Sequence, residues 1–150
     1  MSMVRNNKNG FTLTELLVVI GIMAVLAAVG WPAITSLQPS LKLNGVSREL
    51  VTNLRSAQQR AVSEQVEYSL RFFPDDNSYR ISRLGDTPLE ILNKKLPVDI
   101  RIFQVSGFTN QEVIFNVLGA VSETGSVALK NSREQSKTIE VRPSGFIKIQ

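Results

Sequence analysis

One long apolar segment near the amino terminus limits what this 150-residue chain can become. Residues 11–31 read FTLTELLVVIGIMAVLAAVGW and carry a single charge, Glu15. As an α-helix these 21 residues would measure about 31 Å, which matches the hydrocarbon core of a bilayer. The preceding residues include Arg5 and Lys8 but no acid, and Trp31 closes the segment with a ring suited to the headgroup level. We therefore expect one membrane span within a transmembrane and assembly helix over residues 11–32, with a cytosolic amino terminus and a translocated carboxyl-terminal domain.

A removable secretory signal and a plain signal anchor are alternative explanations of this segment. A secretory signal has a shorter apolar core that ends at small residues, which Ala24, Ala27 and Ala28 would imitate. A plain anchor gives no reason for Glu15, because a carboxylate inside a membrane helix costs about 2.5–3.5 kcal/mol on insertion scales. Glu15 also lies about one turn from Phe11, so the helix dipole would favour it as a tolerated acid of the first turn.

The order of a basic leader, a Gly-Phe junction, an acid and an apolar run resembles the prepilin signal of type IV pilins and type II secretion pseudopilins. This signal extends over Gly10-Phe11-Thr12-Leu13-Thr14-Glu15. The resemblance implies that prepilin peptidase removes residues 1–10 by cutting between Gly10 and Phe11, and that the new Phe11 amine is N-methylated. It also implies that Glu15 attracts the amine of a neighbouring subunit during filament assembly, because two opposite charges in lipid relieve each other's desolvation by pairing. Thr14 departs from the bulky apolar residue most common before the Glu.

The residues after the span predict an amphipathic neck helix over 33–64. Pro32 matches the position where pilins bend their long helix, and proline removes a backbone donor, so a kink is expected there. Arg60 and Glu64 are spaced to form an i,i+4 ion pair. Apolar residues recur at steps of three or four, which favours packing against the chain's own domain over packing on neighbouring subunits; they are Leu43, Val46, Leu50, Leu54, Ala57 and Ala61. The opposite face carries Arg48, Thr52, Arg55 and Gln59.

The remaining residues, 65–150, predict a head made of short strands. Pro74-Asp75-Asp76-Asn77 predicts a hairpin turn, and Arg142-Pro143-Ser144-Gly145 predicts a second turn. Seven strands with no helix between them predict an α+β fold, in which the helix packs on an antiparallel sandwich or open barrel as a pilin-like lollipop. The predicted strands are Val66–Phe73, Ser78–Leu84, Leu96–Val105, Glu112–Asn116, Ser126–Lys130, Lys137–Arg142 and Phe146–Ile149.

The head also resembles the GspH/FimT group of minor pilins and pseudopilins. The resemblance rests on LVTNLRSAQQRAVSEQVEYSLRF, GSVALKN and TIEVRPSGFIKIQ, and it covers most of residues 43–150. Major pilins usually close this region with a disulfide, so the absence of cysteine favours the minor class.

Some members of that group bind DNA through a Gly-Arg-x-Arg segment. The corresponding residues here are Gly145-Phe146-Ile147-Lys148, in which Phe stands for the first Arg and Lys for the second. Five cations near the carboxyl terminus are better interpreted as a solvated basic face, and the alternative is a patch that binds phosphates in a salt-sensitive way. They are Lys130, Arg133, Lys137, Arg142 and Lys148. Phe146 would either stack on a base or join the core. Nucleic-acid binding for DNA uptake is therefore the alternative function.

Catalytic and metal chemistry find little support in the sequence. The chain has no His and no Cys, which excludes His- or Cys-ligated metal sites and Ser-His-Asp or Cys-His catalysis. Asp75-Asp76-Asn77 offers oxygen ligands of the kind that Ca²⁺ accepts, but too few of them, and a hairpin turn is the better interpretation. Lys94-Lys95 is expected in a solvated loop. We expect neither an enzyme nor a cofactor-binding protein.

The leading hypothesis is a structural subunit of a type IV pilus or type II secretion filament, with a priming or tip role. The resemblance implies other pilin or pseudopilin subunits, the prepilin peptidase and N-methyltransferase, and an inner-membrane assembly platform as partners. It also implies a single-pass protein of the bacterial inner membrane, with the head in the periplasm before it enters the filament.

Overall fold

The fold is that of a computed structural model, which describes residues 11–150 and gives no account of the side chains of residues 32–36. The long α-helix, α1, extends over Leu13–Glu64, and a short 3₁₀ helix extends over Thr109–Gln111. The described chain divides into two compact units, and the division falls between Gln38 and Pro39. The neck residues that follow this division therefore share one unit with the strands.

The first unit contains the predicted span. Leu13–Trp31 is long and apolar enough to cross a membrane, and none of it is buried. The helical backbone continues through Pro32 and Pro39. A kink at Pro32 stays a prediction.

The second unit begins with the neck part of α1, whose predicted apolar stripe is confirmed. Leu50, Leu54 and Ala57 are at most 1% exposed, and the other stripe residues are buried or packed against the same core. The predicted opposite face is exposed along its length. After Glu64 the helix ends because Gln65 takes a φ of 52°, and its side-chain Nε2 donates to the carbonyl of Val62 at 2.7 Å, which satisfies one free helix-end acceptor.

Eight strands follow, all paired antiparallel in two four-stranded sheets. The first sheet has the order β3-β2-β1-β5 and the second has the order β4-β6-β7-β8. The strands are β1 Glu67–Phe73, β2 Ser78–Leu84, β3 Leu89–Lys95, β4 Ile100–Ser106, β5 Glu112–Phe115, β6 Gly125–Asn131, β7 Ser136–Val141 and β8 Ile147–Ile149. The predicted α+β class, with a helix on an antiparallel head, is confirmed.

The predicted count of seven strands is wrong because β3 is missing from it. Strand β3 lies at a sheet edge, so its side chains are mostly exposed and lack the alternation that marks a half-buried strand. Lys94-Lys95 therefore belongs to a strand and not to a solvated loop. Lys94 Nζ lies 2.7 Å from Glu49 Oε1 of α1.

One predicted strand also begins too early. Leu96 is buried but lies before β4, which starts only at Ile100. Pro97 lacks a backbone donor, and its carbonyl accepts from the Ile100 amide at 2.9 Å in a turn. The sequence predicts a strand start at Leu96 because a buried apolar residue just before a turn resembles the first residue of a strand.

The core lies where α1 meets both sheets. Tyr79 of β2 is 2% exposed, and its hydroxyl accepts a hydrogen bond from Asn53 Nδ2 of α1 at 2.6 Å. Burial raises the pKa of the Tyr79 phenol to about 12. The largest other core side chains are Tyr68, Phe72, Phe115, Leu70, Ile100, Leu129 and Ile139.

Candidate assembly site and head surfaces

Thr12 and Glu15 form a capping box at the start of α1. The Glu15 amide donates to Thr12 Oγ1 at 3.2 Å, and the Thr12 amide donates to Glu15 Oε2 at 3.2 Å. The Thr12 hydroxyl also donates to the same carboxylate oxygen at 3.2 Å. This reciprocal pattern satisfies amides that a helix start would otherwise leave unpaired. The acid therefore has a local structural role at the start of the helix.

The capping box leaves part of the Glu15 carboxylate available. Within residues 11–150, Glu15 Oε2 accepts both hydrogen bonds from Thr12, and Glu15 Oε1 accepts none. Phe11 is 79% exposed directly before the box. A carboxylate oxygen and the position of the predicted mature amine thus lie close together in sequence at one helix end. Gly10 lies outside the described residues, so cleavage after it stays a prediction.

The apolar side chains that follow are exposed on every side of the helix. Their exposed fractions range from 41% for Val19 to 75% for Trp31. Water does not tolerate a continuous apolar surface of this length, so lipid or other protein must cover it. The span in the first unit is therefore consistent with anchoring in a membrane.

Lys130 of β6, the first of the five predicted cations, already has an acidic partner. It forms an ion pair with Glu134, and its Nζ lies 4.4 Å from the ring centroid of Phe103. The Lys130 ammonium is the main cause that holds the pKa of Glu134 below its usual value. Arg101 pairs with the same carboxylate at 2.7 Å. This end of the sheet is therefore a mixed-charge cluster.

Arg142 and Lys148 both lie near a second carboxylate, that of Glu140. Arg142 Nε lies 2.9 Å from Glu140 Oε1, and Lys148 of β8 stands directly opposite Glu140 of β7. The hydrogen bond from Arg142 is the first cause that lowers the pKa of Glu140. Both cations are thus partly neutralised by one acid.

The five cations do not form one patch. Lys137 of β7 is in register with the fully buried Leu129, so it lies on the core-facing side of the sheet and opposite to Lys130. Arg133 lies in the turn between β6 and β7. The predicted cations therefore do not all share one face of the sheet, because strand alternation sends neighbouring residues to opposite faces. DNA binding stays a prediction without a continuous surface to support it.

Asn77, the last residue of the predicted hairpin turn, has a structural task. Its φ is 50°, and its Nδ2 donates to the Ile100 carbonyl at 2.6 Å. The Ile102 amide donates to its Oδ1 at 2.9 Å. The side chain thus links the β1–β2 turn in the first sheet to β4 in the second. The predicted hairpin is confirmed. The side-chain oxygen of Asn77, which was considered above as a Ca²⁺ ligand, already accepts a hydrogen bond from the Ile102 amide.

Gln58 of α1 ties two loops to the helix. Its Nε2 donates to the Gly119 carbonyl at 2.7 Å and to the Gly145 carbonyl at 3.1 Å. Both glycines have φ values near 77°, and each packs closely on the Gln58 side chain. Sequence reasoning missed this contact and the long-range bonds of Asn77. The glycines marked the turns, but nothing in the sequence pairs a helix residue with loops 61 and 87 positions away.

Comparisons with known proteins give one match to a family model and several matches to solved structures. Residues 5–31 match the family model of the prokaryotic N-terminal methylation motif. Comparison with curated protein sequences finds no match. The fold is similar to the minor pseudopilin EpsH from the type 2 secretion system of Vibrio cholerae, with a TM-score of 0.63 and 8% identity, over 73% of this chain and 96% of that one.

A second solved structure is also similar to this chain. The type IV minor pilin FimU of Pseudomonas aeruginosa gives a TM-score of 0.60 at 14% identity, over 74% of this chain and 90% of FimU. The chain carries a prepilin methylation motif and has a pilin-like fold. The pilin-like fold accounts for a long helix that packs on antiparallel strands, and the motif covers the capping box of Thr12 and Glu15.

Proposed function

We propose that the chain is a minor pilin or pseudopilin, a structural subunit of a type IV pilus or type II secretion filament. The observation that carries this proposal is the joint presence of the methylation motif over residues 5–31 and a head with the fold of EpsH and FimU. The exposed span from Leu13 to Trp31 supports it, because assembly would transfer that surface from lipid to other subunits. In this role the chain is a substrate of processing enzymes and not itself an enzyme.

We propose the following course of assembly. Prepilin peptidase cuts between Gly10 and Phe11, the Phe11 amine is methylated, and the subunit waits in the inner membrane with its head in the periplasm. The amine of a neighbouring subunit then pairs with Glu15, whose Oε1 has no hydrogen bond among the described residues. Pairing sets the axial position of the subunit, which would act as a priming or tip component.

The mature amino terminus tests the processing step. We expect the intact mass of the chain from cells to correspond to a polypeptide that starts at Phe11 and carries one added methyl group. A chain that retains its first ten residues, or that starts beyond Ala24, would contradict the proposal. The control is Gly10→Val, which should leave the leader attached, because a branched side chain hinders access to the cleaved bond.

Three variants separate the charge of Glu15 from its capping role. Glu15→Gln keeps an oxygen that accepts from Thr12 but removes the charge, whereas Thr12→Val removes the cap and keeps the charge. Glu15→Val removes both. We expect all three to enter the membrane, and both Glu15 variants to be absent from the sheared filament fraction, while Thr12→Val is still incorporated. Normal incorporation of Glu15→Gln would refute the charge-pairing role.

A further inference from the structure

A groove runs along the head between α1 and the edge strand β8, and we name it the helix–strand groove. One stretch of it encloses about 520 Å³ and lies over Val51, Ile147 and Ile149, which are buried or half-buried. The next stretch continues past Phe146 towards Val62 and Leu118, whose exposed fractions are 43% and 83%. All of these residues belong to the second unit. The groove therefore combines an apolar floor with exposed apolar groups at one end.

One wall of the groove is an open strand edge. Thr138 and Gln150 exchange both backbone hydrogen bonds, and Glu140 and Lys148 are the next pair of the same kind along the strands. The backbone groups of Ile147 and Ile149 therefore point away from β7. Since β8 is the last strand of its sheet, these groups have no strand partner in the part of the chain that the structure describes. They are free to pair with another extended chain.

The other wall of the groove is positively charged. Arg48 and Arg55 are exposed on α1 along this wall, and within residues 11–150 neither has an acidic partner. No carboxylate lines either described stretch of the groove. Lys148 also lines this stretch at the edge of β8, but its side chain lies on the other face of the strand, opposite Glu140. The positive charge that has no acidic partner along the groove therefore comes mainly from Arg48 and Arg55.

The dimensions fit a short extended polypeptide. From Arg48 to Val62 the helix advances about 21 Å, which an extended chain covers in about six residues. We propose that the helix–strand groove binds an extended acidic segment of a partner protein, which pairs with β8 as an added strand and places carboxylates near Arg48 and Arg55. This inference concerns the head alone and does not depend on leader cleavage or on filament assembly.

Binding of designed peptides tests the charge requirement. The probe is a fluorescent, amino-acetylated heptapeptide of alternating Val and Glu, and the charge control has Lys in place of each Glu. With the full unprocessed chain in uncharged detergent micelles, we expect the acidic peptide to bind at least tenfold more tightly than the basic one. Arg48→Gln and Arg55→Gln should each weaken binding at least threefold. Lys95→Gln removes the same charge from exposed strand β3 and should leave binding unchanged.

Amide hydrogen exchange tests the strand pairing. We expect the acidic peptide to slow exchange at Ile147 and Ile149, whose amides face the open edge, and to leave Lys148 unchanged, because its amide already bonds to β7. N-methyl groups at alternate backbone nitrogens remove every second amide donor of the peptide. When the methylated nitrogens are those that would donate to β8, the peptide should no longer slow exchange at Ile147 and Ile149. That loss separates strand addition from simple attraction between charges.

Three results would overturn the proposal. The first is equal binding of the acidic and basic peptides, and the second is equal weakening by Lys95→Gln and the groove variants. The third is tighter binding of a single-stranded oligonucleotide than of the acidic peptide, with loss of that binding in Arg55→Gln. Because unprocessed protein is used, these outcomes are independent of the tests of leader cleavage and of Glu15.

Discussion

Replacing Asn77 should show how strongly one turn residue holds the two sheets together. The Asn77→Gly variant keeps a backbone that accepts a φ of 50° but loses the side-chain bonds to Ile100 and Ile102. Each lost hydrogen bond costs about 1 kcal/mol. Ile100 is 0% exposed and Ile102 is 5% exposed, so unpaired backbone groups there add a desolvation cost. We expect the free energy of unfolding to fall by about 2–4 kcal/mol in total.

The Asn77→Ala variant loses the same bonds and also forces an alanine into the left-handed region. That region costs a residue with a Cβ about 1 kcal/mol more than glycine, so Asn77→Ala should be the less stable of the two variants. Asp76→Ala is the matched control. Asp76 is exposed in the same turn, and its loss should change stability by less than about 0.5 kcal/mol.

Urea unfolding of the full chain in mild detergent gives these free energies. The protein has two tyrosines, Tyr68 and Tyr79, and both are buried in the second unit, so their near-ultraviolet circular dichroism reports on the head. Stability of Asn77→Gly within 0.5 kcal/mol of the wild type would refute the link between the sheets. A lower stability of Asn77→Gly than of Asn77→Ala would refute the argument from the left-handed backbone.

Two further predictions concern contacts between α1 and the rest of the head. Burial raises the pKa of Tyr79 to about 12, so its stabilising effect is complete below pH 10 and is lost between pH 10 and 12. Between pH 10 and 12 the free energy of unfolding should fall more steeply in the wild type than in Tyr79→Phe, by about 1.4 kcal/mol per pH unit. The same pH dependence in both proteins would contradict this prediction. Gln58→Ala should speed amide exchange at Gly119 and Gly145, because both loops lose their bond to the helix. The neighbouring Gln59→Ala should leave both rates unchanged, and an equal increase in both variants would show that the helix surface, not this bond, is responsible.

Much of the fold could be predicted because local signals agreed with one another. The stripe from Leu43 to Ala61 repeats at helical spacing, and such a stripe has to be buried whatever it packs against. Most strands could be predicted because short β-like runs of residues are separated by turn signals such as Pro74-Asp75-Asp76-Asn77. Strand β3 was missed because an edge strand exposes most of its side chains, and its pairing with β2 leaves no pattern in its own residues.

The predicted site residues also differ in whether a local sequence pattern is enough to identify their role. Glu15 stood out because a lone carboxylate in an apolar run is costly, and the sequence alone supplies that argument. Its capping partner Thr12 follows the Thr-x-x-Glu pattern and could also have been recognised from the sequence. The five carboxyl-terminal cations were grouped because they lie close together in sequence. Strand alternation separated them, with Lys137 on the core-facing side and Lys130 on the other.

The sequence by itself determined the apolar span, the processing motif and the helix-on-strands class, because each depends on interactions within one segment or on the burial of one face. The tertiary structure alone decided that Asn77 joins the two sheets, that Gln58 holds two loops and that an open edge of β8 faces two arginines. These features depend on the register and order of strands that are distant in sequence. A residue's own neighbours do not encode which backbone group it will meet across the fold.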